Sequence, residues 1–188
     1  MTITVHFAQP GPQNTDAVIE AVDRYLSSEE PLDKIVVAST EGGTGLRFAQ
    51  RFPHRGVIVV SHQSGFVRPN HNEMPAEMRS RIAEAGATVL TATHAFAGVG
   101  RGIRKTLGTW TINELLAVAY RTFGQGTKVC AEIVMMAADA GLVQVDRDVV
   151  AVGGTGHGAD TAWVVRPAYT SDFPTLKMKA CICRPLEF

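Results

Sequence analysis

The chain has 188 residues, 45% of them hydrophobic and 19% charged, which is enough apolar material for one sizeable core and points to a single domain over residues 1–188. Its 18 basic and 18 acidic residues cancel, so no nucleic-acid or membrane surface is expected, and no apolar run reaches the length of a membrane span. Three cysteines and no basic-then-apolar leader suit a reducing, cytoplasmic setting, with Cys130, Cys181 and Cys183 read as small apolar residues, not metal ligands.

Thr2–Phe7 alternates weakly and reads as a strand, broken by Gln9–Pro10–Gly11–Pro12. Asn14 or Thr15 is expected to cap a helix to about Leu26, whose Val18, Ile19, Val22 and Leu26 follow helical spacing. Pro31 ends the connection. Lys34–Ala38 is a short apolar run without alternation, the mark of a buried parallel strand. It leads through Ser39–Thr40–Glu41–Gly42–Gly43–Thr44–Gly45 into a helix to about Arg51. A strand that turns through glycines into a helix N-terminus can hold an anion on unpartnered amides. The rival reading is a plain turn capped by Thr40 or Thr44. Under the first reading, Gly43→Val should exclude the loop's conformation.

Gly56–Ser61 repeats the buried-strand pattern, and His62–Gln63–Ser64–Gly65–Phe66 leaves its end. After a polar loop, Pro75 suits the first turn of a helix to about Ala85, which Gly86 stops. Thr88–Thr91 is a third strand, followed by Ala92–Thr93–His94. Phe96 to Gly108 is glycine-rich and basic and reads as a long loop. Thr111–Phe123 and Thr127–Ala140 are helices. Met135, Met136 and Ile133 read as core, and Glu132 and Asp139 as a solvated face. Asp148–Val152 is a fourth strand, Gly153–Thr161 a second glycine loop, Ala162–Val165 a fifth strand, and Leu176–Cys183 a sixth, antiparallel to its predecessor. With no helix between them, the fourth and fifth strands must run antiparallel.

Alternating strands and helices imply a parallel sheet with helices on both faces. Ligands of such sheets bind at the carboxyl ends of the strands. Two threonine-bearing glycine loops meet at that edge, so a phosphate-bearing ligand is expected there. No Gly-Lys-Ser/Thr follows, and the glycine spacing is not that of a dinucleotide fold. His62, His94 and His157 fall on the same edge, where one could serve as a general base; hydrogen bonding to loop backbone is the plainer reading for each. Asp160 could accept a ligand's hydrogen bond or tie its own loop together.

Val36–Phe48 resembles the strand, threonine- and glycine-bearing loop and helix that open the C-terminal domain of pyruvate kinase, and Val149–Gly156 resembles that domain's later strand and effector loop. The whole chain is similar to a stand-alone group of pyruvate kinase C-terminal domain-like proteins, on Ser39–Gly45, Glu132–Gly141 and Gly154–Ala162. The resemblance implies a three-layer α/β/α fold with a mostly parallel sheet, order 3-2-1-4-5 and strand 5 antiparallel. It also implies a phosphorylated ligand, flavin mononucleotide (FMN) first, held by Thr40, Glu41, Gly42, Gly43, Thr44, Gly45, Ser61, His62, Thr93, Gly154, Thr155, Gly156, Gly158, Ala159, Asp160 and Thr161. The alternatives are a sugar-phosphate or nucleotide sensor without catalysis, an enzyme using a loop histidine, and a homo-oligomeric scaffold. Pyruvate kinase activity is not expected, because that reaction takes place in a barrel of roughly 250 residues.

Overall fold

The computed structural model describes residues 4–28 and 32–188. Seven strands form one sheet: β1 (Val5–Phe7), β2 (Lys34–Ala38), β3 (Gly56–Ser61), β4 (Thr88–Thr91), β5 (Val149–Gly153), β6 (Thr161–Arg166) and β7 (Lys177–Pro185). Their order is β1-β7-β6-β5-β2-β3-β4. The pairs β2–β3, β3–β4, β2–β5 and β1–β7 are parallel, while β6 runs antiparallel to β5 and β7. The chain is therefore an α/β protein with a mostly parallel mixed sheet. The helices are α1 (Thr15–Ser28), α2 (Gly43–Arg51), α3 (Ala76–Glu84), α4 (Gly98–Leu107), α5 (Ile112–Arg121) and α6 (Gln125–Asp139), with short 3-10 turns at Pro12–Asn14 and Thr170–Thr175.

Strands β2, β3 and β5 are short and apolar because both their faces are covered. Alternate residues of each strand enter two separate clusters. Ile35, Val37, Val57 and Val59 pack with α1, α2 and α3. Val36, Ile58, Val60, Val149 and Ala151 pack with α6. Helix α6 is apolar almost all round and is buried accordingly, Met135, Met136 and Ile133 included.

Several expected elements differ. The first strand is Val5–Phe7, with Thr2 and Pro31 outside the described residues. Asn14 and Thr15 do not cap α1: Asn14 Nδ2 donates back to Gln9 O, and Thr15 Oγ1 donates to Pro12 O. Pro75 stands just before α3 in extended conformation. The largest change is at Phe96–Gly108, where α4 replaces the expected loop. Its glycines disfavour helix by about 1 kcal/mol each, but packing decides marginal helices. Gly100 is buried against Thr111 and Asn113, and Asn113 Nδ2 donates to Ala97 O. Gly108, at φ 72°, ends the helix with its amide on Arg104 O.

The consequence for function is topological. Parallel β2 and β5 are neighbours, and their following loops leave from the same edge of the sheet. On either side of that pair the chain runs outward in opposite directions, to β3 and to β6. Such a switch opens a crevice.

Candidate functional site

A cavity of about 530 Å³ fills that crevice. Its floor is the edge of the sheet with Ala38, Val60 and Ser61. One wall is the start of α2 with Thr40, Glu41, Gly43 and Thr44. The opposite wall is α6 with Gln125, Lys128, Val129 and Glu132. Arg101 and Arg104 of α4, Trp110, and Glu114, Ala117 and Arg121 of α5 close the outer side; His62, Phe66, His94 and the loop Gly154–Gly158 complete it.

The glycine loop after β2 is shorter than its sequence suggests, because α2 begins at Gly43. Gly43 and Thr44 occupy the first helical turn, so their amides have no acceptor within the helix. Gly45 N is already satisfied by Ser39 Oγ at 3.1 Å. No threonine side chain caps the helix. The residue that needs to be glycine is Gly42, not Gly43. Gly42 has φ 96°, and a Cβ there would lie 2.2 Å from Met78 Cγ, whereas one on Gly43 would meet nothing within 4 Å. The expectation for Gly43→Val is corrected on that ground.

An aromatic cluster stands beside this helix start. The Phe66 ring lies 4.2 Å from His62 and 4.9 Å from His94, and Arg101 covers Phe66 at 4.3 Å. His62 Nδ1 is 3.0 Å from Glu73 Oε1, an arrangement that puts the neutral ring's proton on Nδ1 and its lone pair on Nε2. Thr40 Oγ1 is 3.5 Å from that Nε2. Burial alone would raise the Glu73 carboxyl, but the hydrogen bond from His62 and its own backbone bond outweigh it and hold it below its ordinary value.

On the far side Glu132 is buried. Its Oε1 accepts Phe96 N at 3.0 Å, and its Oε2 pairs with Lys128 Nζ, one helical turn away. His94 Nδ1 is 4.0 Å from the same oxygen. Burial lowers the Lys128 ammonium, and Glu132 only partly restores it. Burial also lowers His94 to about 4, against the pull of Glu132 and with help from His62, Lys128 and Arg101. His94 is thus a neutral imidazole at pH 7. The structure corrects the placing of Glu132 on a solvated face, and it adds Lys128, which the sequence pattern does not single out. The available signal is a Lys and Glu at i, i+4 on a helix otherwise too apolar to face water. Asp139, by contrast, is exposed and accepts Thr170 N and Oγ1.

The expected site residues divide. Thr40, Glu41, Gly43, Thr44, Ser61, His62, Gly154, Gly156 and Gly158 border the cavity, and His94 and His157 join them. Gly42 and Gly45 lie behind the wall, where Gly45 lets α2 approach Val59. Thr93 is exposed and outside the lining. Thr155, Ala159, Asp160 and Thr161 do not border it either. Asp160 is fully buried; its Oδ2 accepts Gly11 N and Thr155 N at 3.0 Å each, and Oδ1 accepts Thr161 Oγ1 at 2.7 Å. It ties its own loop to the Pro12 turn, the second of its two readings. The residues that pattern reading passes over are Phe66, from the loop after β3, and Trp110, Glu114, Arg121 and Lys128, from the stretch leading through α5 into α6 that the fold brings against the strand-end loops.

Burial disfavours the thiolate form of the cysteines. Cys130 and Cys183 are buried, and burial pushes Cys181 up to about 11 and Cys183 to about 12. Among the described residues no group of three His, Cys, Asp or Glu is placed to hold a metal ion, and no helix is long and apolar enough to cross a membrane.

No family model matches the chain. Among solved structures it is similar to O-ureido-L-serine synthase, at 20% identity over 56% of this chain and 29% of that one, with a TM-score of 0.31. It is also similar to an O-ureido-L-serine-bound mutant of that synthase, at 16% identity over 69% of this chain and 48% of that one, with a TM-score of 0.33. The matched region spans less than half the length of those enzymes, and a likeness this slight transfers neither fold nor chemistry.

Proposed function

We propose that this protein binds a phosphorylated small molecule in the cavity, with FMN as the first candidate. The observation that carries the reading is the start of α2, where Gly43 and Thr44 of the first helical turn line a cavity that also holds Arg101, Arg104, Arg121 and Lys128. Four cations stand there against Glu41, Glu114 and Glu132. A dianionic phosphate at the helix N-terminus meets unpartnered donors and the positive end of the macrodipole. The His62–Phe66–His94 cluster offers flat rings beside it for a planar group such as a flavin. A volume of about 530 Å³ lies within the usual range of small-ligand pockets. The order β4-β3-β2-β5-β6 and the helices on both sheet faces support the pyruvate kinase C-terminal domain-like reading behind this choice.

The test compares FMN with riboflavin by quenching of flavin fluorescence. Riboflavin lacks the phosphate and forfeits the charge-assisted bonds to the helix amides. It should bind at least tenfold more weakly, a difference of about 1.4 kcal/mol. Equal dissociation constants would remove the phosphate from the argument. Absence of FMN binding would remove the flavin and leave sugar phosphates and nucleotides to be tried by thermal shift.

A second reading has its own observation. His94 is neutral, largely buried and beside the Lys128–Glu132 pair, an arrangement that suits a neutral imidazole polarising a bound carbonyl better than a base taking its proton. Turnover of a bound ligand that His94→Gln abolishes, without loss of binding, distinguishes an enzyme from a sensor.

A further inference from the structure

Helices α4 and α5 are built inside out. In α4, Arg101 and Arg104 face the cavity, while Val99, Ile103 and Leu107 recur every fourth residue on the opposite face and are 82%, 39% and 71% exposed. In α5, Glu114, Ala117 and Arg121 face the cavity, while Ile112, Leu115 and Val118 are 78%, 52% and 43% exposed. A surface helix ordinarily turns its apolar stripe to the core and its charges to water. Two consecutive, contacting helices with the reverse pattern each turn an apolar stripe away from the cavity.

We infer that this α4–α5 face is where a second copy of the chain packs, helix pair on helix pair about a two-fold axis. Six large apolar side chains, each more than a third exposed, stand on these two neighbouring helices, the kind of surface that marks an interaction site and not single scattered residues. A two-fold contact needs only one self-complementary patch. Charge also favours a copy over an anionic lipid surface. A membrane-binding helix turns its cations outward beside its apolar face, but Arg101 is held over Phe66 and Arg104 Nε donates to Glu114 Oε1 at 2.7 Å, both on the cavity side. The chain's net charge of zero does not oppose self-association. Trp110 borders the cavity and is itself 51% exposed at the seam of the two helices, so the second copy also braces the cavity's outer wall. The inference goes beyond the ligand reading and does not rest on it.

Sedimentation velocity of the full chain, from low micromolar to about 100 μM, decides it. The dimer mass is expected. Leu107→Glu with Ile112→Glu places two charges on the face, at positions exposed enough for the fold to accept them, and should give a monomer with a native far-UV spectrum. Leu107→Ile with Ile112→Leu should keep the dimer. A monomeric wild-type chain overturns the inference, as does a dimer that survives the double glutamate variant. Monomeric wild-type protein that floats with phosphatidylglycerol vesicles would assign the face to lipid and overturn it equally.

Discussion

Asp160 shows how a residue in the right place for ligand binding can be spent on structure. Both carboxylate oxygens are occupied by the chain's own donors, two backbone amides and one hydroxyl. Replacing it with Asn puts an NH2 group against donors that need an acceptor. Leaving a buried donor unsatisfied costs about 1–3 kcal/mol. Asp160→Asn should therefore lower the unfolding free energy by that amount, read by urea denaturation. Ligand affinity, measured on the folded fraction with the same flavin probe, should change far less. A stable Asp160→Asn variant that has lost binding would return this carboxylate to the site. Gly42 teaches the complementary lesson. It does not touch the cavity, yet its positive φ and contact with Met78 set where α2 starts, and so which amides face the ligand space.

At the scale of elements, α4 is the piece that sequence reading misses, and its glycines make the error instructive. Gly100 and Gly102 are two residues apart and have opposite surroundings. A Cβ on Gly102 would meet nothing within 4 Å, whereas one on Gly100 would lie 2.4 Å from Thr111 Oγ1. Gly102→Ala should stabilise α4 by close to about 1 kcal/mol through helix propensity alone. Gly100→Ala should force α4 away from the start of α5 and raise amide exchange across Gly98–Leu107. If both substitutions protect the α4 amides equally, the docking of α4 on α5 is wrong. The double variant, Gly100→Ala with Gly102→Ala, should lose most of the gain from Gly102→Ala alone, because the change at Gly100 removes the surface against which the helix forms.

For the whole molecule, the largely buried, neutral His94 links stability to pH. Its folded pKa lies near 4, below the ordinary 6.5 of the unfolded chain. The unfolded state therefore binds the extra proton first, and its contribution to stability is full above pH 6.5 and is lost as pH falls toward 4. The loss is on the order of 3 kcal/mol. Glu73 and Asp148 are both held below their ordinary values. Their contributions, present above their unfolded pKa values of 4.5 and 3.8, are lost at still lower pH. Between about pH 7 and about pH 4, the unfolding free energy of the wild type should fall more steeply than that of His94→Gln. Parallel curves would mean that His94 is solvated in the folded protein.

Short apolar runs, glycine stops and the missing helix between Gly153 and Ala162 are sufficient to read an α/β chain whose last strands turn antiparallel. Those features are local: a run of Val and Ile without alternation is buried on both faces wherever it lies, and so short a connection cannot make a parallel crossover. The loops bordering the cavity are legible for the same reason, since they follow strands whose ends share one edge. What only the tertiary structure decided is the other half of the cavity. Glu114 and Arg101 sit on segments that read as an ordinary helix and as loop, and Lys128 and Glu132 on a helix too apolar to face water, and only the folded chain brings all four to one cavity. Burial then changes their chemistry: it lowers His94 and Lys128, and it makes a partner of Glu132 instead of a solvated charge. No residue carries that information alone, because desolvation depends on what packs against it from distant parts of the chain.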